Sequence, residues 1–293
     1  MKRHVPGGPC GFVLLDKPLG PSSHQALSGF KRRFGTGRIG HAGTLDPAAS
    51  GLLVCAVGKA TRLLNEVEAR EKEYLFALRL GLETDSLDLQ GAVVRTTLAP
   101  DPASIDWDAL LLHFVGDISQ VPPAVSALRV DGIRAYELVR QGKTVELPPR
   151  PVTIHSLEML PENHEGDPVF RLRCSKGTYV RSLARDLGEA LGSPACVSLL
   201  RRTAIGPWRV PDQPLLPDED FEPPLLPVAA FLSGWPRFQI GESDRQALRT
   251  GKSLTCPLPD TDQALALDGD EALAAGRVAA GIFRPSLLLI DAQ

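Results

Sequence analysis

A single carboxylate lies in a loop that glycines and a proline restrict. Asp46 occurs within Gly-His-Ala-Gly-Thr-Leu-Asp-Pro-Ala-Ala-Ser-Gly, and the apolar run Leu-Leu-Val-Cys-Ala-Val follows directly. Pro47 biases Asp46 toward an extended backbone, and the apolar run is typical of a buried strand that would hold the loop rigidly. A carboxylate held this way can take part directly in a reaction, although an Asp-Pro pair is also a common turn initiator.

Two further segments carry residue types suited to an anionic ligand. Lys176-Gly-Thr-Tyr-Val-Arg-Ser-Leu-Ala-Arg185 predicts a strand-end turn entering a helix, with Tyr179 and Arg181 in its first turn. An adjacent guanidinium and aromatic ring suit a phosphate and a base. Alternatively, Arg181 caps acidic surface and Tyr179 fills the core. The turn Asp16-Lys-Pro-Leu-Gly-Pro-Ser-Ser23 precedes a predicted helix and could hold a phosphate, but such loops are common.

Basic charge is concentrated near these motifs. Residues 1–63 carry a net charge of +7 and residues 129–209 carry +4, whereas residues 64–128 and 210–293 each carry −7 in a chain of net charge −3. A basic patch of this kind is typical of proteins that bind phosphate backbones, although it can also be solvated surface without a partner.

The periodicity of the chain predicts a mixed α/β fold (α+β), in which strands and helices position the motifs. The predicted strands cover 11–16, 51–57, 74–80, 92–98, 152–160, 169–175 and 196–205. The predicted helices cover 22–34, 59–68, 104–114, 133–141 and 180–191. Short β runs at 277–282 and 286–290 predict a small β-rich domain at the C-terminus.

Length and composition predict the domain organisation. We expect a catalytic domain at 1–209, an acidic Pro-rich linker at 210–235 and a second domain at 236–293. No apolar run is long enough to span a bilayer, and the N-terminus lacks the apolar stretch of a signal peptide. The five cysteines show no metal-ligand spacing. We therefore expect a cytoplasmic protein without disulfides or a metal site.

Six motifs occur together in one order. They are Asp16-Lys-Pro-x-Gly-x-Ser-Ser, the Asp46 loop, Lys72-Glu-Tyr with Thr84-Asp-Ser-x-Asp-x-x-Gly, Pro122-Pro-Ala-Val-Ser-Ala-Leu-Arg, Ser175-Lys-Gly-Thr-Tyr-Val-Arg-Ser-Leu and Leu199-Leu-Arg-Arg-Thr. In this order they closely resemble the TruB family of tRNA pseudouridine synthases, over residues 11–205. The resemblance is weak over the last sixty or so residues, where it implies a PUA-like RNA-binding domain.

The resemblance implies a mixed-sheet enzyme that isomerises the T-loop uridine of tRNA, at tRNA position 55, without cofactor or metal. Asp46 would be the nucleophile, Tyr74 would stack on the base and handle the C5 proton, and Arg181 would pair with Asp46. The substrate-binding residues implied are His41, Tyr179, Leu200, Lys17 and Gly43. The expected partner is the tRNA T-arm, bound by a monomer, with no DNA and no membrane.

These residue types agree with the implied chemistry. Remaking a glycosidic bond requires an ionised carboxylate, which a neighbouring guanidinium stabilises, and a T-loop uridine must be flipped out before it can react. One departure is Val125, where the family commonly has Tyr before Ser-Ala-Leu/Val-Lys. The alternatives are a guide-RNA-dependent relative and a non-catalytic tRNA-binding or folding protein. We also expect Lys31, Arg32, Arg33 and the Arg201/Arg202 pair to contact phosphates.

Overall fold

A computed structural model describes residues 8–28, 31, 34–211 and 224–290, and the strands within these ranges form two large sheets and two short hairpins. The strands are β1 Gly11–Lys17, β2 Ile39–Ala42, β3 Ser50–Val57, β4 Lys72–Leu80, β5 Leu82–Thr84, β6 Val93–Thr96, β7 Gly116–Gln120, β8 Arg129–Val130, β9 Ile133–Arg134, β10 Arg150–His164, β11 Asp167–Cys174, β12 Ala195–Ile205, β13 Trp208–Arg209, β14 Arg237–Gln239, β15 Leu254–Thr255, β16 Thr261–Asp268, β17 Glu271–Ala279 and β18 Ile282–Leu288.

The helices lie between these strands. The α-helices are α1 Ser23–Ala26, α2 Leu64–Glu68, α3 Trp107–Leu112, α4 Ala135–Arg140, α5 Val180–Ala190, α6 Val228–Phe231 and α7 Glu242–Arg249, and 3₁₀ turns occupy Gly58–Leu63 and Pro102–Ser104. Ser22 begins α1 with a capping box that it forms with Gln25. No helix of the described ranges is long and apolar enough to cross a membrane.

The larger sheet has nine strands in the order β1-β3-β12-β4-β11-β10-β7, with β2 added to β3 and β13 to β12. Strands β12 and β3 are parallel, whereas the other pairs are antiparallel. The predicted mixed α/β fold is therefore confirmed. Strands β3, β12 and β4 lie side by side in the middle of the sheet, so the loop that contains Asp46 adjoins the strands that carry Leu200 and Tyr74.

Helix α5 packs on this sheet through one apolar face. Its buried residues Val180, Leu183, Ala184 and Leu187 recur at the spacing of an amphipathic helix. They share a core with aromatic side chains of β4 and β11, where the Phe76 and Phe170 rings stack at 5.2 Å. This packing fixes the N-terminal turn of α5 at the edge of the core.

The C-terminal sheet has five strands in the order β14-β16-β17-β18-β15 and fits a PUA-like domain. It shares a core with the larger sheet: Phe12 of β1 stacks on Phe231 at 3.8 Å, and Phe231 stacks on Trp208 at 4.1 Å. Residues 212–223 of the expected linker lie outside the described residues. Residues 228–235, also within the expected linker, contribute buried side chains to the shared core.

Several predicted elements differ from those observed. The predicted helix at 59–68 begins as a 3₁₀ turn, and the first two residues of the predicted helix at 133–141 form β9 instead. The predicted helix at 22–34 begins as expected, but residues 29, 30, 32 and 33 lie outside the described residues. Strand β10 is longer than predicted because its polar C-terminal half pairs with β11 across bulges.

Candidate active site

A cavity of about 650 Å³ lies where the Asp46 loop, β4, β12 and the start of α5 meet. The sequence-predicted residues that line it are Gly43, Asp46, Tyr74, Tyr179, Arg181 and Leu200. Its charged lining is mostly basic and consists of Lys72, Arg134, Lys176, Arg181 and Arg202 against Asp46 and Glu68. The cavity is therefore suited to an anionic ligand with an apolar or aromatic portion.

The Asp46 loop is held by hydrogen bonds at both of its sides. Ser23 holds Leu45, the residue before Asp46, by two hydrogen bonds. Its Oγ donates to the Leu45 carbonyl at 2.9 Å and accepts from the Leu45 N–H at 2.8 Å. Gly20 N–H donates to the Pro47 carbonyl at 2.9 Å. Gly43 has a φ of 71°, a backbone conformation that favours glycine. The Asp46 side chain remains 40% exposed and faces the cavity.

Arg181 is the partner of Asp46, as the resemblance implied. Its side chain is only 4% exposed, its Nε donates to Asp46 Oδ2 at 2.9 Å, and its Nη2 lies 2.8 Å from the same oxygen. The same guanidinium donates to the carbonyls of Ser86 and Val125, and its Nε lies 3.8 Å from Asp88 Oδ2. A charged group buried this deeply needs such a complete set of partners.

The two oxygens of the Asp46 carboxylate therefore differ in their contacts. Oδ2 is bound by Arg181, whereas Oδ1 accepts no hydrogen bond from any described residue. The ion pair fixes the orientation of the carboxylate and leaves one oxygen available to a ligand.

Tyr74 lies on β4 opposite Leu172 of β11 and Arg202 of β12, and its ring lines the cavity. Burial raises the pKa of the Tyr74 phenol, while the nearby Arg202 guanidinium opposes that rise. The phenol is therefore neutral at pH 7 and can donate a hydrogen bond.

Tyr179 and Leu200 also line the cavity. Tyr179 is the residue before α5, and burial raises the pKa of its phenol, with the positive charge of Arg150 as the largest opposing effect. Leu200 lies on β12 and is buried. An aromatic ring and an aliphatic side chain thus flank the Asp46–Arg181 pair.

Lys17 and His41, two of the expected substrate-binding residues, do not line the cavity. Lys17 is 0% exposed, and its ammonium donates to the carbonyls of Pro18 and Pro21 at 2.9 Å each. Burial lowers its pKa to about 8. His41 lies on β2, burial lowers its pKa, and its Nδ1 is buried without a hydrogen-bond partner among the described residues.

Arg201 and Arg202, both expected to contact phosphates, make their observed hydrogen bonds within the chain. Arg202 is 1% exposed and donates to the carbonyls of Leu52 and Gly43 at 2.8 and 2.9 Å, so it supports the Asp46 loop and is not a surface cation. Arg201 forms a bidentate ion pair with Asp16 at 2.9 and 2.7 Å. Of the other expected phosphate contacts, Arg32 and Arg33 lie outside the described residues.

Three residues near the site were not predicted as site residues. Asp88 is buried beside Arg181, Gln120 binds the main chain of Tyr179, and Ser126 contributes a buried hydroxyl to the cavity lining. The motif Thr84-Asp-Ser-x-Asp could have indicated Asp88 as a site residue, because Asp88 is the second acidic residue of that motif. Within the described ranges, no three His, Cys, Asp or Glu side chains cluster as metal ligands would.

The chain matches the family model for the N-terminal domain of TruB family pseudouridylate synthases over residues 31–180. Two curated relatives, both called tRNA pseudouridine synthase B, come from Parasynechococcus marenigrum and Synechococcus sp. The first relative is 42% identical to this chain, and the match covers 91% of this chain and 92% of the relative's length. The second relative is 46% identical, and the match covers 84% of this chain and 86% of the relative's length.

Solved structures share the fold at lower identity. An H/ACA RNP bound to a substrate RNA containing 2′-deoxyuridine has a chain that matches with a TM-score of 0.66 and 22% identity, over 95% of this chain and 85% of that one. A chain of the archaeal box H/ACA sRNP Nop10–Cbf5 complex matches equally well, over 97% and 87%. From the family model and the curated relatives together, the chain belongs to the TruB family of pseudouridylate synthases.

Proposed function

We propose that this protein converts uridine in tRNA to pseudouridine, and that its target is the T-loop uridine at position 55. The observation that carries the proposal is the Asp46–Arg181 ion pair in a cavity shared with Tyr74, Tyr179 and Leu200. Relatives more than 40% identical over most of the chain are named for pseudouridine synthesis in tRNA, which supports the same substrate here.

The reaction moves one bond of uridine. The glycosidic bond from C1′ to N1 breaks, a bond from C1′ to C5 forms, C5 loses its proton and N1 gains one. Because uridine and pseudouridine have the same composition, the stoichiometry requires no cofactor. Asp46 would supply the nucleophile through Oδ1, attacking either C1′ or C6, while Arg181 holds Oδ2 in place.

The surrounding side chains would hold the detached uracil while it turns. The Tyr74 ring can stack on the flipped base. Because its phenol is neutral, the hydroxyl can take up the C5 proton only if it passes its own proton to another group. Leu200 and Tyr179 would restrict the base from the other sides. Lys176, the exposed cation of this lining, would bind a phosphate that flanks the flipped nucleotide.

The proposal includes action by a monomer in the cytoplasm, on the T-arm and without a guide RNA. The H/ACA complexes resemble this chain at 22% identity, which supports a common fold and not a common dependence on guide RNA. A protein that only binds or folds tRNA would not need a carboxylate held against a buried guanidinium.

One experiment separates these possibilities. The purified protein is incubated alone with an unmodified tRNA transcript, and pseudouridine is mapped by position. We expect one pseudouridine in the T-loop, and none when the target uridine is replaced by cytidine. Modification at another position would contradict the T-loop assignment, binding without turnover would support a folding protein, and turnover only after addition of a guide RNA and partners would support the guide-dependent alternative.

A further inference from the structure

Gln120 binds both main-chain groups of Tyr179. It is 1% exposed at the C-terminal end of β7, its Nε2 donates to the Tyr179 carbonyl at 3.1 Å, and its Oε1 accepts from the Tyr179 N–H at 2.8 Å. An amide is the neutral side-chain group that offers an N–H donor and a carbonyl acceptor side by side. The two bonds therefore fix the Tyr179 backbone as a pairing strand would.

Tyr179 stands at a point where its backbone needs such support. It precedes α5 in an extended conformation, with φ −106° and ψ 111°, and no side chain caps the helix there. Its carbonyl also accepts the helical hydrogen bond from Leu183 N–H at 3.1 Å. Its ring lines the cavity, and Arg181 follows two residues later, so a shift of the Tyr179 peptide would move both groups.

The chain that follows Gln120 is bound to the same turn of α5. The Val121 carbonyl accepts from Ser182 Oγ at 2.8 Å and from Arg185 Nη2 at 3.2 Å. The Val125 carbonyl accepts from Arg181 Nη2 at 2.9 Å. Gln120 thus begins a segment that contacts the first turns of α5 along its length.

We propose that Gln120 is a positioning residue for the isomerisation: its amide sets the Tyr179 ring and the Arg181 guanidinium against Asp46. The inference rests on the proposed function, because it concerns the rate of that reaction. Displacement of reacting groups by about 1 Å can lower a rate by about a hundredfold, so loss of the two hydrogen bonds should slow the chemical step more than it weakens binding.

The first test compares Gln120→Met with a matched control. Met preserves the length of the side chain and removes both hydrogen bonds. The control is Gln239→Met, because Gln239 makes the same pair of bonds to Gly269 in the C-terminal sheet, at 3.0 and 3.1 Å. We expect the single-turnover rate of Gln120→Met to fall by about tenfold or more, with RNA affinity within about threefold. The control should retain the wild-type rate.

The second test uses Gln120→Glu and pH. A protonated carboxyl offers one O–H donor and one carbonyl acceptor, as the amide does, whereas a carboxylate only accepts. Burial raises the pKa of a carboxyl group, so the proton should be gained within an accessible range of pH. We expect the single-turnover rate of this variant, divided by the wild-type rate at the same pH, to rise as pH falls from about 8 to 5.5. Because the normalised rate of one variant is compared across pH, a loss of stability that is the same at every pH cannot produce this rise.

The outcomes separate this inference from the proposed function. If the wild type forms no pseudouridine, the proposed function fails. If the wild type is active, a ratio that stays flat with pH for Gln120→Glu overturns the positioning role. Equal single-turnover rates for Gln120→Met and wild type overturn it as well. If RNA affinity falls in both Gln120 variants by as large a factor as the single-turnover rate does, Gln120 supports the RNA-binding surface and not the reacting groups. That result also contradicts the proposal.

Discussion

At the scale of single residues, the site depends on how one guanidinium distributes its hydrogen bonds. Arg181 donates from Nε to one oxygen of Asp46, from Nη1 to the Ser86 carbonyl and from Nη2 to the Val125 carbonyl, and Nη2 also lies 2.8 Å from that Asp46 oxygen. It therefore joins three separate segments of the chain at the carboxylate. Lysine could not replace it, because an ammonium lacks the planar set of donors that reaches several acceptors in fixed directions.

Tyr74 can be tested by separating its ring from its hydroxyl. Tyr74→Phe keeps the stacking face, whereas Tyr74→Leu loses both. If stacking on the flipped base is the larger effect, the Leu variant should bind a T-arm stem-loop more weakly than the Phe variant by about 1–3 kcal/mol. Equilibrium binding to the same RNA measures this difference, and equal affinities of the two variants would contradict the stacking role.

At the scale of elements, the hairpin of β5 and β6 is a second support of Arg181. Its turn supplies the Ser86 carbonyl and the buried Asp88 carboxylate. Asp88 Oδ1 is itself held by Ser86 Oγ at 2.7 Å and by Gln90 N–H at 3.0 Å. This leaves Oδ2 directed toward the guanidinium, so the hairpin orients the arginine that orients the nucleophile.

Asp88→Asn should therefore lower the rate without changing the fold. The amide keeps the two bonds at Oδ1 but replaces the negative charge near Arg181, and we expect the single-turnover rate to fall by about tenfold or more. Asp85→Asn is the matched control, since Asp85 lies on the same turn, is exposed and accepts from Ala92 N–H at 2.9 Å. An equal loss in both variants would mean that the turn matters only for folding.

Local sequence patterns predicted the elements that carry the motifs, because those elements are strongly periodic or wholly apolar. The strand after Asp46 and the helix that contains Arg181 are examples. Strand β7 was missed, since Gly-Asp-Ile-Ser-Gln is short and mostly polar and is stabilised by pairing with β10. Helix α7 was missed for a similar reason, because its composition is almost entirely polar.

The site was predictable where the residues belong to a recognised motif. The contact of Asp46 with Arg181 followed from the resemblance, although the two residues are far apart in sequence. The supporting contact of Gln120 with Tyr179 did not, because no local pattern links residues that meet only through the order of strands in the sheet. The sequence also showed no sign that Arg202, expected to contact a phosphate, is buried and donates to the carbonyls of Leu52 and Gly43.

At the scale of the whole molecule, the two sheets depend on each other for burial of apolar surface. Phe12, Trp208 and Phe231 form a continuous stack between the catalytic sheet and the C-terminal part of the chain. Gln263 of the C-terminal sheet also donates to Glu66 of α2. Deletion of residues 236–293 would therefore uncover core surface, so point substitutions are the better test of what the C-terminal domain contributes.

Arg277 and Arg284 provide such a test. They lie opposite each other on β17 and β18, both are exposed, and neither has an ion pair or hydrogen bond to a described residue. Like charges directly opposite across a sheet are destabilising, which favours an anionic partner. If each contacts a phosphate outside the T-arm, replacing both by Ser should reduce the log–log salt slope of full tRNA binding by about two units.

The matched measurements locate the contact. The same double variant should bind the isolated T-arm stem-loop as the wild type does. Arg245→Ser is the control, because Arg245 is already paired with Asp268 at 2.8 Å and should not alter the slope. An unchanged slope for full tRNA would identify Arg277 and Arg284 as solvated surface.

The most direct test of the account is the single-turnover rate of Asp46→Asn on a saturating T-arm stem-loop. The amide preserves the shape of the side chain but cannot act as the nucleophile, so we predict no pseudouridine above background while RNA affinity stays within about tenfold. Asp117→Asn, an exposed aspartate on β7 that accepts from Thr153 Oγ1, should retain full activity. Measurable turnover by Asp46→Asn would contradict the assignment of Asp46 as the nucleophile.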